Sequence, residues 1–333
     1  MDTINRQFRL AARPVGLPKD TDWELTSEPV PHPADGQVVV AVEYISLDPA
    51  MRGWMTDRRS YVPPVAIGEV MRALAGGRVL ASNHAALEPG DRVTGVLGVQ
   101  EYAVVDAQAV AKVDTTQASL PTYLNTLGMT GMTAYFGLLD VGRPEPGQSI
   151  VVSGAAGAVG GLVGQIAKLK GCRTVGIAGG EGKCAHVVAD LGFDAAIDYR
   201  SEDVTAQLRR HCPNGIDVYF DNVGGSILDA ALANLALHAR VVICGAISQY
   251  NNTGPPTGPA NYLSLLVNRA SMTGFIVMDY QARYQEGMRE MAGWLAQGKL
   301  TSREDVAAGF ETFPATLNRL FRGENTGKLV LKV

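Results

Sequence analysis

The residues best placed to do chemistry are Ser153-Gly154-Ala155-Ala156-Gly157-Ala158-Val159-Gly160, where an apolar strand ends, turns and opens a helix. Against the G-x-G-x-x-G pattern, Ala155 takes the first glycine place, while Gly157 and Gly160 keep the other two. Gly157 lets the backbone approach a pyrophosphate at the helix N-terminus, and Gly160 lets helix and strand pack closely. The chemistry implied is dinucleotide binding; the bland alternative is a tight turn that binds nothing. An NAD site places Asp or Glu about 20 residues further on, against the ribose 2′-hydroxyl. Here that place holds Ala178, followed by Gly179 and Gly180, with Glu181 only on the next turn. Lys183 opens the next helix, and the third strand ends in Asp198-Tyr199-Arg200. A cation and a phenol near an emptied acid position suit a 2′-phosphate, so NADP (NADPH) is the expected cofactor. The competing reading makes Lys183 a solvated helix residue.

Other chemistries fail on spacing. Gly180-Glu181-Gly182-Lys183-Cys184 resembles the end of a P-loop, but Ile177 stands where the first glycine belongs and Cys184 where Ser or Thr belongs. A Tyr-x-x-x-Lys pair is missing, since Tyr135, Tyr199, Tyr250 and Tyr262 are followed four residues later by Leu139, Asp203, Gly254 and Leu266. Cys172, Cys184, Cys212 and Cys244 form no C-x-x-C pair, so free thiols are expected. The histidines, His32, His84, His186, His211 and His238, are scattered and read as surface or capped core residues.

Elements must position these groups. At 333 residues the chain is long enough for two domains, and 46% hydrophobic with 19% charged residues argues against long disordered tails. A net charge of -4 gives no general drive towards nucleic acid or an anionic membrane. The stretch MDTINRQFRLAARP has no apolar signal-peptide core, and no run of 18 apolar residues offers a membrane span, so a cytoplasmic protein is expected. Up to about residue 120 the sequence reads as short strands cut by Pro and Gly: Gln37 to Tyr44, Arg78 to Ala81, Asp91 to Val96 and Gln100 to Val105. That texture predicts an antiparallel barrel or open sheet. After Thr130, apolar runs alternate with helical patterns. Strands are expected at Ser149 to Ser153, Arg173 to Ala178, Ala195 to Asp198, Ile216 to Phe220, Arg240 to Gly245 and Met272 to Met278. Helices are expected at Ala158 to Lys170, Glu181 to Leu191, Val204 to His211, Ser226 to Leu237 and Gln281 to Gln297. Continuously apolar strands with crossover helices predict a doubly wound parallel sheet. Lys328 to Val333 reads as a strand returning to the N-terminal sheet. The expected division is therefore 1–125 plus 295–333 as a barrel-like substrate domain, with a Rossmann domain, 126–294, inserted.

This order of elements resembles the medium-chain dehydrogenase/reductase superfamily, and more closely its zinc-independent prostaglandin and leukotriene reductase group, which includes alkenal double-bond reductases and curcumin reductases. The resemblance rests on SLDPAMRGWM (Ser46 to Met55), LGMTGMTAYFGL (Leu127 to Leu138), AAGAVGGLVGQIAKLKGC (Ala155 to Cys172), FDNVGG (Phe220 to Gly225), CGAISQYN (Cys244 to Asn251) and GENTGK (Gly323 to Lys328). It implies a Rossmann sheet inserted into a GroES-like catalytic domain. It also implies cofactor contacts from Gly157, Ala158, Val159 and Gly160, from Lys183 and Tyr199 at the 2′-phosphate, and from Asn222. Further implied contacts are Cys244, Gly245, Ala246, Ile247, Ser248, Gln249 and Tyr250, then Phe275, Ile276, Val277 and Asn325. Ala50 departs from the group, whose members often carry Tyr there. Where zinc-dependent members of the superfamily carry Cys and Gly-His-Glu, this chain reads Tyr44-Ile45-Ser46-Leu47-Asp48 and Ile67-Gly68-Glu69-Val70, so no metal is expected.

Without a Lewis acid, the easier task for NADPH is hydride addition to the β-carbon of an enone or enal, with charge developing on a distal oxygen. Tyr250, just past the fifth strand on the ligand side of such a sheet, is the candidate donor to that oxygen. The ribose 2′-hydroxyl is a second donor suggested by the resemblance, and a loop anchor is the plainer role for Tyr250. Met51, Arg52, Tyr262 and Met278 are candidate substrate-lining residues, with ordinary packing the alternative. A quinone oxidoreductase is a related reading, and a nonenzymatic NADPH-binding sensor or nucleic-acid-binding protein a reading of another class. The apolar run Met272 to Met278 is an edge strand without Lys or Pro. It invites pairing with a second copy, so a homodimer is expected, as the resemblance also implies.

Overall fold

The computed structural model describes residues 3–255 and 257–333; Pro256 and the first two residues lie outside them. The chain divides into two compact units, Met1–Leu124 with Glu304–Val333, and Asn125–Arg303.

The first unit is built on strands β1 (Ile4–Leu10), β2 (Trp23–Pro29), β3 (Gln37–Ser46), β4 (Leu74–Ser82), β5 (Arg92–Val96), β6 (Tyr102–Asp106) and β7 (Val110–Lys112), with helices α1 (Ala50–Trp54) and α2 (Leu120–Leu124). The second unit contributes α3 (Met129–Phe136), β8 (Ser149–Ser153), α4 (Ala158–Leu169), β9 (Arg173–Ala178), α5 (Glu181–Ala189), β10 (Ala195–Asp198), α6 (Val204–His211), β11 (Ile216–Asp221), α7 (Gly225–Leu232), β12 (Leu235–Ile243), α8 (Leu263–Val267), β13 (Ser271–Gly274) and α9 (Tyr284–Ala296). The chain then returns to the first unit through β14 (Glu304–Ala308), α10 (Phe313–Arg322) and β15 (Lys328–Lys332).

The second unit is a doubly wound sheet of order β10-β9-β8-β11-β12-β13, all parallel. Its order reverses between β8 and β11, and in such sheets ligands bind at that reversal, outside the carboxyl ends of the strands. Ile150, Val151 and Val152 of β8 are completely buried, as strands covered on both faces require. Glycine lets α4 pack against the connection before β10, because a Cβ on Gly164 would lie 1.8 Å from the Phe193 ring.

The first unit is a mostly antiparallel sheet of order β14-β15-β3-β4-β5-β7, with β6 pairing β3 and β1–β2 forming a separate ribbon. The Lys328 to Val333 run does pair with the N-terminal sheet: β15 joins β3 antiparallel. Phe8 packs against Phe310 and Phe313, both at 5.2 Å between centroids, which ties the ribbon to the C-terminal return.

Three sequence expectations are corrected. The helix expected to reach Leu237 ends at Leu232, and β12 begins already at Leu235. The side-chain amide of Asn234 bonds back to the Ala230 carbonyl at 2.8 Å, while the Asn234 carbonyl accepts the Ile216 N–H at 2.9 Å, which turns the chain into the strand. The sixth strand is only Ser271–Gly274. Beyond it the Phe275 ring turns inward, edge-on to Phe220 and Tyr280, and Val277–Arg283 coils tightly ahead of α9, which begins at Tyr284 rather than Gln281.

Candidate functional site

The turn after β8 is shaped by its own backbone. Gly154 adopts φ +62°, its carbonyl accepts the Gly157 N–H at 2.9 Å, and Ala155 N–H bonds to the Ile177 carbonyl of β9 at 3.0 Å. A Cβ on Gly160 would sit 2.3 Å from the Gly154 carbonyl oxygen, and one on Gly157 would sit 3.1 Å from the same atom. Gly157 occupies the cap of the 12-residue α4, and no side chain bonds to the first-turn N–H groups. Such a helix start favours an anion.

At the end of β9, Ala178 leads into Gly179 and Gly180. A Cβ on Gly179 would lie 2.8 Å from the Tyr199 ring, so the phenol covers the place where a side chain would stand. Tyr199 is 43% exposed, with the Arg200 guanidinium 6.0 Å from its ring centre. Lys183 lies in the first turn of α5, where its N–H bonds to the Gly180 carbonyl at 3.1 Å. The end of β9 itself carries no carboxylate, and Arg200 is next to the phenol in sequence.

The ends of β8 and β11 are joined by a buried polar knot. Asp221 accepts on one oxygen from the Ser153 hydroxyl (2.9 Å), the Tyr219 hydroxyl (2.9 Å), and the N–H groups of Val223 (3.1 Å) and Gly224 (3.0 Å). Asn222 donates its N–H to the Ser153 hydroxyl at 2.8 Å and its amide to the Ser153 carbonyl at 2.7 Å. Burial pushes the Tyr219 phenol well above its ordinary range, and the neighbouring Asp221 adds to the shift. Sequence reasoning singled out Asn222 but missed Ser153 and Asp221 as a pair; they are 68 residues apart and meet only because β11 lies beside β8.

The loop from Cys244 to Tyr250 lies on that knot. Cys244 and Gly245 donate to the Asp221 carbonyl, Ile247 to the Asn222 carbonyl, and the Ser248 hydroxyl to the Val223 carbonyl at 2.6 Å. A Cβ on Gly224 would lie 3.0 Å from that of Ala246, and one on Gly225 3.1 Å from the Gln249 amide nitrogen. Tyr250 folds back: its hydroxyl accepts the Ala246 N–H at 3.2 Å. Burial pushes the Cys244 thiol up to about 12, so it stays protonated and is no nucleophile at neutral pH.

The remaining candidates fall in different places. Ile276 and Met278 are half-buried, Val277 is buried, and Tyr262 on the approach to α8 is 57% exposed. In the first unit, Asn325 turns its amide onto the Gly327 carbonyl at 2.9 Å. Met51 and Arg52, candidate lining residues with ordinary packing the alternative, lie in the first unit. Met51 is completely buried in that unit's core. The Arg52 guanidinium is buried and bonds to the carbonyls of Pro14 and Gly16 and to the Thr56 hydroxyl, with burial lowering its pKa. Both side chains serve packing. Beside them the buried Lys328 ammonium pairs with Asp48 and donates to the Leu47 carbonyl at 3.3 Å, an arrangement the sequence did not signal. Among the described residues no group of three His, Cys, Asp or Glu side chains converges to hold a metal ion.

Residues 6–113 match the family described as the N-terminal domain of oxidoreductase, and residues 158–293 the family described as zinc-binding dehydrogenase. The chain is 43% identical to the NADPH-dependent curcumin reductase of Escherichia coli (strain K12), over 99% of this chain and 97% of that one. It is 40% identical to the NADP(+)-dependent 2-alkenal reductase of Nicotiana tabacum, over 100% of this chain and 98% of that one. The crystal structure of CurA in complex with NADPH from Vibrio vulnificus superposes with a TM-score of 0.94 at 46% identity, covering 98% of this chain and 99% of that one.

Proposed function

The chain belongs to the zinc-independent reductase group of the medium-chain dehydrogenase/reductase superfamily, and from that premise we propose that it uses NADPH to reduce the C=C bond of α,β-unsaturated ketones or aldehydes without a metal. The observation that carries this reading is the pair of glycine turns. One opens α4 with uncapped N–H groups; the other ends β9 without a carboxylate, beside Tyr199 and Lys183. Bound NADPH supplies a hydride for the substrate's β-carbon. Gly157, Ala158, Val159 and Gly160 hold the pyrophosphate, and Lys183 and Tyr199 take the 2′-phosphate. Asn222, the Cys244–Tyr250 loop and the Phe275–Val277 stretch bound the nicotinamide half. The developing charge on the substrate oxygen needs a donor. Tyr250, whose hydroxyl accepts the Ala246 N–H, is the candidate donor to that oxygen, with the ribose 2′-hydroxyl the second. Tyr262 and Met278 keep surface for a substrate.

Product analysis with C4-deuterated NADPH and a medium-chain enone is the test. The expected product is the saturated ketone with deuterium on the β-carbon. An untouched enone beside a reduced quinone ring would replace this reading with that of a quinone oxidoreductase. Tyr250→Phe is expected to lower kcat about tenfold to a thousandfold with NADPH affinity within a few fold. Unchanged kcat with weakened cofactor binding would leave Tyr250 as a loop anchor.

A cytoplasmic homodimer completes the reading. Among the described residues no helix is long and apolar enough to cross a membrane, and the four cysteines are free. β13 is the edge of its sheet, all four of its residues are exposed, and nearby α8 exposes Leu266 at 75% and Val267 at 67%. Pairing two such edges about a two-fold axis continues the sheet. Light scattering should give twice the 35.3 kDa chain mass, and Met272→Lys should halve it; a single-chain mass for the wild type rejects the dimer.

A further inference from the structure

One carboxylate locks together the turn after β9 and the turn after β10. Asp198, the last residue of β10, accepts the Gly180 N–H at 2.7 Å and the Arg200 N–H at 3.0 Å on the same oxygen, and the Ser201 hydroxyl at 2.9 Å on the other. Its own N–H donates to Glu202 at 2.7 Å. Each bond fixes a neighbour of the 2′-phosphate candidates. Gly180, at φ +94°, both bonds to Asp198 and offers the carbonyl that starts the α5 turn carrying Lys183. Arg200 follows Tyr199, whose ring covers Gly179. The Gly180 N–H, then the Arg200 N–H, hold the Asp198 carboxyl below its ordinary range. A carboxylate beside a bound phosphate repels it unless the negative charge is turned to other donors, and here three donors converge on it.

We propose that Asp198 is a positioning residue for cofactor specificity: without touching the cofactor, it holds Lys183 and Tyr199 in the one arrangement that fits a 2′-phosphate. The inference rests on the NADPH reading above. NADH has no phosphate at this place, so its affinity is an internal control for the rest of the fold.

The experiment is titration of NADPH and NADH into wild type, Asp198→Ala, Asp198→Asn and Asp198→Glu, with a melting curve for each. Wild type should prefer NADPH by about tenfold or more. Asp198→Ala should lose about tenfold in NADPH affinity with NADH within about threefold, because the acceptor that ties the two turns together has gone. Asp198→Asn keeps an oxygen that accepts both N–H groups and should stay within about threefold of wild type for both cofactors. If Asp198→Ala does not fold, Asp198→Glu decides: it keeps the charge but displaces the oxygens by a methylene, and should cost NADPH about threefold or more. An unchanged preference, equal losses for both cofactors, or tighter NADPH binding in both Ala and Asn variants overturns the proposal. A wild type that binds both cofactors equally overturns the NADPH reading itself, and the positioning role with it.

Discussion

The turns after β8 and β9 look alike in sequence, each a buried strand running into glycine and then a helix, but different atoms hold them. After β8, backbone meets backbone: a Cβ at Gly160 would stand 2.3 Å from the Gly154 carbonyl oxygen. After β9, backbone meets side chain: a Cβ at Gly179 would stand 2.8 Å from the Tyr199 ring. The first contact cannot relax without moving β8 against α4. The second can, because a ring that is 43% exposed has somewhere to go. The difference teaches how such a site divides its labour. In the proposed NADPH site, what all dinucleotides share, the pyrophosphate, would fall to the rigid backbone turn, and what distinguishes them, the 2′-phosphate, to side chains around the second turn.

The strongest way to break this contrast is Gly160→Ala. It should weaken NADPH and NADH alike, by about a hundredfold, and lower the melting temperature, since the overpacking cost of about 1–3 kcal/mol falls on a backbone that cannot yield. A loss confined to NADPH would erase the distinction between the turns. Next, Lys183→Ala should cost NADPH about tenfold and leave NADH within about threefold, read by the same titration. Gly179→Ala should be milder, about threefold for NADPH alone, as the new methyl pushes the Tyr199 ring aside. The smallest effect is expected at Gly182, inside α5 with nothing within 4 Å of an added Cβ. Gly182→Ala should raise stability by about 0.5 kcal/mol through helix propensity and leave both affinities unchanged, so a change there would make the whole β9 end sensitive to any substitution.

The legible parts of this molecule were those whose cause is local. The strands Ser149–Ser153, Arg173–Ala178 and Ala195–Asp198 have the bounds that apolar runs between turn residues predict, and in the first two burial on both faces leaves no polar alternation to blur them. β1 was not among the expected strands; its Arg6 and Arg9 interrupt the apolar pattern and pair with Glu101 at 2.6 Å and Glu28 at 2.8 Å. Met272 to Met278 misled in the opposite sense. It is apolar throughout, but Phe275 and Val277 serve the interior of the unit while the short strand before them lies exposed at the edge. For the site, the glycine turn, the emptied acid position, Lys183 and Tyr199 could all be read along the chain. The hydrogen bonds of Arg52 could not, since they go to carbonyls of Pro14 and Gly16 more than 30 residues away.

By itself, then, the sequence determined the alternation of strand and helix, the glycines that permit the two turns, and the missing carboxylate after β9. These depend on neighbours within a few residues, through side-chain periodicity and allowed backbone angles. Only the tertiary structure decided which polar groups meet: buried Ser153 with buried Asp221, partly buried Gly180 with Asp198, and buried Lys328 with Asp48. A polar group taken out of water must find a partner, and which partner lies within reach depends on which strands become neighbours. Burial of the whole chain settles that, and no local stretch contains it.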